Sequence, residues 1–147
     1  MMTQHLKSLI VGWLLLLTVS PASTAGDNGP LTQEQQDIIA VIQIQLNAFK
    51  ENDSITAFHQ ASPAIKRQLI TADNFLEMVR FHYKAVFRPQ QVTFLELETS
   101  EPYRIQHLRL IGPNGYSWDA YYVMEKQSDG RWTVGGVHLV MRDELPV

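Results

Sequence analysis

The chain has 147 residues, 12 basic and 15 acidic side chains, a formal net charge of −3 and no cysteine. That length holds one domain, and a mildly acidic chain without a Lys/Arg cluster lacks the electrostatic footprint of a nucleic-acid binder. The missing thiols exclude disulfide staples, cysteine nucleophiles, thiolate zinc sites and iron–sulfur clusters.

Residues 1–25 differ from the rest. "MMTQHLK" is a short n-region with Lys7 as its one firm positive charge, "LIVGWLLLLTV" is an apolar core, and "SPASTA" ends in small residues, with Ser23 and Ala25 suited to cleavage before Gly26. Eleven residues are too few to cross hydrocarbon about 30 Å thick, which takes roughly 20. The expectation is a cleaved secretory signal peptide and an exported chain with no stable membrane anchor afterwards. Removing 25 residues from 147 leaves 122, and the loss of Lys7 moves the net charge to −4. A domain of about 120 residues can bury roughly two-thirds of its unfolded surface without disulfides.

"GDNGPL" (26–31) reads as a flexible leader, followed by a single domain over 32–143. Thr32 opens a helix, with Gln35 at capping-box spacing. Ile38, Val41, Ile42, Leu46 and Phe49 recur at helical spacing, with Gln43 and Asn47 off the stripe, and "KEND" closes the helix near residue 51. Asp53 is placed to cap a second helix through "SITAFHQA". "SPAIKRQLI" follows, with Ser62 as N-cap and Pro63 at the first helical position, where its missing N–H costs nothing. A third helix, "TADNFLEMVRFHY", starts at Thr71 or Asp73 and places Phe75, Met78, Val79 and His82 on one face. Pro89 ends it, because the residue before a proline disfavours helix.

The composition then switches. "QQVTFLELETS", "YRIQHLRLIG", "YSWDAYYVMEKQ" and "RWTVGGVHLVMR" alternate or are rich in β-branched and aromatic residues, with turn signals "PNG" at 113–115 and "SDG" at 128–130. Four antiparallel strands after helices imply an α+β domain, with the helices packed on one face of a curved sheet. Gly135 and Gly136 interrupt the last strand, which calls for a bend or bulge there, or for a neighbour too close for a Cβ.

This order of elements resembles the cone-shaped fold of the nuclear transport factor 2-like superfamily, in which a sheet curls around the first helix and leaves a conical pocket. "AFHQASPAIK", "MVRFHYKAVFRPQQVTF" and "GYSWDAYYVMEKQSDGRWTVGG" together resemble the exported bacterial family named domain of unknown function 4864, over most of residues 35–141. That resemblance implies architecture and export, with the periplasm as destination. It supplies no activity or catalytic residue.

Strand alternation puts Trp118, Ala120, Tyr122 and Met124 on one face and Asp119, Tyr121 and Val123 on the other. Arg104, Gln106, Leu108 and Leu110 oppose Tyr103, Ile105, His107, Arg109 and Ile111, while Trp132, Val134, Gly136 and His138 are expected to share a face. The candidate pocket residues are Gln106, His107, Trp118, Asp119, Tyr121 and His138, with Arg88 as a rim residue for an anion or as the partner of a nearby carboxylate. His59, His82, His107 and His138 form no sequence-local metal motif, and the bland alternative for each is a half-buried histidine bonded to a carbonyl or to solvent. No catalytic residue, metal or cofactor is assigned. The expected role is binding of a small, partly apolar molecule without catalysis. A homodimer through the open sheet face is the alternative, and a proton-transfer enzyme using His138, His107 or Asp119 ranks third.

Overall fold

The structure is a computed structural model that describes residues 29–142, so the signal peptide at 1–25, leader residues 26–28 and residue 143 of the expected domain lie outside the described residues. Helices α1 (Gln33–Lys50), α2 (Ser54–His59), α3 (Pro63–Leu69), α4 (Ala72–His82) and α5 (Lys84–Phe87) precede strands β1 (Gln91–Ser100), β2 (Tyr103–Ile111), β3 (Ser117–Lys126) and β4 (Trp132–Met141). The fold is α+β, with N-terminal helices packed on a four-stranded antiparallel sheet of order β1-β2-β3-β4. None of the described helices is long and apolar enough to cross a membrane.

Local chemistry sets the helix starts. Thr32, Asp53, Ser62 and Thr71 accept bonds from the backbone N–H groups of Gln35, Thr56, Ile65 and Asn74 respectively. Each such cap is worth about 1 kcal/mol. Thr71, rather than Asp73, caps α4. The Gln35 amide does not reach back to complete a capping box; it points to the sheet and donates to the Leu95 carbonyl at 3.3 Å. Arg104 of β2 holds Glu34 at 2.6 Å, so the first turn of α1 is tied to the sheet twice.

Ile38, Ile42, Leu46 and Phe49 form the buried stripe of α1, and burying a side chain of this size contributes roughly 1.5–3 kcal/mol. Gln45 and Ala48 are buried in the same stripe. On α4, Phe75, Leu76 and Val79 turn inward, whereas His82 is exposed at the last turn, contrary to its expected place on the apolar face. The single turn α5 fills the stretch expected to be a plain break, and it buries Ala85, Val86 and Phe87.

Two bulges shape the sheet. In β1, Phe94 pairs with Leu108 and Leu97 with Gln106, which leaves Leu95 and Glu96 opposite His107. Gln106, fully buried, closes this bulge by donating from Nε2 to the carbonyls of Leu95 at 2.9 Å and Glu96 at 3.2 Å. In β4, Val134 pairs with Met124 and Gly136 with Val123, so Gly135 is the extra residue. A Cβ on Gly135 would collide with the Glu125 side chain, meeting its Cδ at 2.9 Å and its Cγ at 3.0 Å, while one on Gly136 would meet nothing. The glycine pair therefore serves both expected purposes at its first member. Just before the bulge, Val134 exchanges backbone bonds of 2.8 Å with Gln60 and Ser62, which covers that part of the β4 edge.

The bulge also corrects the phase of β4. Trp132 and Val134 face the helices, but beyond Gly135 it is Val137 and Leu139 that pair with the fully buried Tyr122 and Ala120. His138 pairs instead with Tyr121 and is exposed, so it does not share a face with Trp132 and Val134.

Candidate functional site

A cavity of about 270 Å³ opens where the helices meet the β4 bulge. Phe49 of α1, Ile65 and Leu69 of α3, Phe75, Met78 and Val79 of α4, Val86 of α5, and Val134 and Val137 of β4 supply its apolar wall. Gly135 and Gly136 border it with bare backbone. The Ser62 cap and the backbone exchange with Val134 anchor the start of α3 to β4.

Among the described residues the wall carries three polar side chains, Gln45, Gln68 and Tyr83, and no charged one. Gln45 is 2% exposed, and its Nε2 donates to the Ala57 carbonyl at 3.1 Å. Its Oε1 makes no hydrogen bond to another described residue, and neither does the Tyr83 hydroxyl. A mostly apolar chamber with a few polar groups is the usual make-up of a small-molecule site.

Met78, Tyr83 and Val137 also line a wider groove, bounded by the end of α4, α5, the 113–114 turn, β3 and β4. Trp118, His138, His82 and Lys84 lie along it, and no carboxylate does. Cavity and groove thus adjoin through three shared residues.

The sheet face away from the helices carries a different arrangement. The His107 ring presents Nδ1 to Glu96 Oε1 at 2.9 Å and Nε2 to Asp119 Oδ1 at 3.0 Å, and it stacks on Tyr121 with ring centres 4.6 Å apart. Both contacts are hydrogen bonds only when both ring nitrogens carry protons. Asp119 Oδ1 also accepts from Arg109 Nε and Nη2 at 3.2 and 3.1 Å, and Oδ2 from Arg142 at 3.3 Å. Burial pushes the Asp119 carboxyl up, but the His107 bond and the Arg109 guanidinium outweigh it and hold it below its ordinary value. Glu96 is lowered by its own backbone N–H and then by His107. With both imidazole nitrogens facing carboxylates, the cluster is a clamp that ties β1, β2 and β3 to Arg142, the residue after β4.

The candidate residues therefore separate. His107, Asp119 and Tyr121 meet in the outer clamp, Trp118 and His138 border the groove, and Gln106 is consumed by the β1 bulge. Arg88 lines neither space: it donates to the Lys50 carbonyl at 3.5 Å and lies over the Phe87 ring, 5.2 Å from its centre, and pairs with no carboxylate among the described residues. None of the cavity's polar residues Gln45, Gln68 and Tyr83 is a site candidate from sequence. The available signal was a glutamine in the apolar stripe of α1, four residues before Phe49.

No curated protein matches the chain. The profile of the family described as "Domain of unknown function (DUF4864)" matches residues 31–146.

Proposed function

This chain belongs to the DUF4864 family, and on the geometry of its domain we propose that it binds a small, partly apolar molecule in the α1–α3–α4–β4 cavity without chemically changing it. The observation that carries the proposal is the cavity itself, about 270 Å³ with an apolar wall and the unpaired Gln45 Oε1. An apolar cavity of about 150 Å³ accommodates benzene, so this one has room for a ring or a short chain. Its lining holds no carboxylate or histidine, which leaves a bound molecule without an acid/base pair.

The same proposal assigns the fold to the nuclear transport factor 2-like superfamily. Support comes from helices packed on a doubly bulged antiparallel sheet with the cavity between them. Export to the periplasm after cleavage at residue 25 rests on the "LIVGWLLLLTV" and "SPASTA" stretches alone. Homodimerisation through the outer sheet face is a second reading, favoured by Tyr103 and Val140, which are 42% and 44% exposed there.

Native mass spectrometry of protein isolated from its own source without detergent tests both. Binding predicts a stoichiometric extra mass that disappears on denaturation. A bare dimer moves the assignment to assembly, and a bare monomer overturns the proposal.

A further inference from the structure

The groove that adjoins the cavity is chemically lopsided. Lys84, His82 and His138 lie along it without a carboxylate among the lining residues. None of these three side chains makes an ion pair with a described residue, and no hydrogen bond to a described residue occupies the Lys84 ammonium. Among the described residues Arg80, Arg104, Arg109, Arg131 and Arg142 pair with carboxylates, whereas Lys84, like Lys50, Lys66, Arg67, Arg88 and Lys126, makes no ion pair. Lys84 follows directly on Tyr83, which lines both spaces, and precedes by two residues Val86, which lines the cavity.

An uncharged apolar chamber opening beside an ammonium that no described residue pairs, with His82 along the same groove, is complementary to one kind of molecule. Granting the binding role proposed above, on which this step rests, we infer that the ligand is an amphipathic anion. Its apolar body lies in the cavity, and its carboxylate or phosphate group lies in the groove beside Lys84. A neutral apolar ligand leaves the Lys84 ammonium without a partner, whereas an anionic head gains charge-assisted hydrogen bonds there. Since Lys84 is exposed, solvent and salt weaken the attraction, and the anion's advantage is about two- to fivefold.

The test titrates the protein with octanoate, octyl phosphate and 1-octanol, each below its aggregation concentration, by isothermal calorimetry. Wild type and Lys84→Met are compared at low and high salt. At least one anion is expected to bind wild type about two- to fivefold tighter than the alcohol. That advantage is expected to vanish in Lys84→Met and to shrink at high salt, with octanol affinity unchanged; the exposed position keeps the variant folded. Octanol binding as tightly as both anions overturns the anion inference and leaves the binding role standing. An anion advantage that survives Lys84→Met overturns the placement of the head group. Failure of all three probes to bind removes the binding role itself, and this inference with it.

Discussion

Tyr122 lies in the middle of β3, between Gln106 and Val137, and is fully buried. Its hydroxyl has no hydrogen-bond partner among the described residues, and burial pushes the phenol's pKa well up, so it stays protonated. Mutational data put the cost of burying a hydroxyl without a partner at roughly 1–3 kcal/mol. Tyr122→Phe removes that group and keeps the ring, so no cavity opens and the packing against Leu108 and Ala120 is preserved. The expected result is a gain of about 1 kcal/mol. With a urea m-value of about 2 kcal/mol per molar, the unfolding midpoint rises by about 0.5 M. Because Tyr122 is absent from the cavity wall, the variant is expected to respond to an added apolar probe as wild type does. A loss of about 1 kcal/mol or more would refute the reasoning, since it would mean that the hydroxyl holds a buried water or another partner.

Gln106→Leu leaves the carbonyls of Leu95 and Glu96 without the amide that now closes the β1 bulge, and it is expected to cost about 2–3 kcal/mol in urea unfolding. An effect under about 0.5 kcal/mol would show that the bulge does not depend on that amide. Ile70 sits at φ 69° and ψ −51°, with Thr71 N–H bonded to the Leu69 carbonyl at 2.7 Å, a strained three-residue turn for a β-branched side chain that is 77% exposed. Ile70→Gly relieves the strain at little loss of burial, and the melting temperature is expected to rise by the equivalent of about 0.5–1 kcal/mol; a lower one contradicts this. Asp119 has a folded-state pKa below its unfolded value of about 3.9. Its contribution is therefore complete above that pH and is lost as pH falls through the folded value. Asp119→Asn should be less stable than wild type at pH 6 and should decline less steeply below about pH 4; parallel declines would exclude a net contribution from its charge.

The helix caps were legible because capping is local: Thr32, Asp53 and Ser62 each act within three residues of themselves. Strand positions followed from alternation, and the turns from Gly115 and Gly130, which hold φ of 86° and 87°. What escaped was non-local. The double glycine signalled a bulge, and one extra residue at either glycine moves His138 from opposite Ala120 to opposite Tyr121. The phase error moved His138 to the wrong face. Alternation puts Gln106 on one face with Leu108 and Leu110 but does not show that this face meets the helices, and the β1 bulge that uses its amide has no glycine to announce it. His107 and Asp119 were read as pocket chemistry because residue type alone does not show that Glu96, Arg109 and Arg142 close around them. The cavity wall escaped for the opposite reason: its valines, leucines and phenylalanines look like any core.

The most direct test of the central claim locates a neutral apolar probe on the protein. Methyl spectra of protein labelled at Ile, Leu, Val and Met, recorded during titration with 1-octanol, report every candidate surface at once. Binding in the cavity predicts shifts concentrated at Ile65, Leu69, Met78, Val86 and Val137, with Ile105 and Val123 of the outer face unmoved. Shifts confined to Ile105 and Val123, or none at any methyl, would contradict the assignment of the cavity as the binding site.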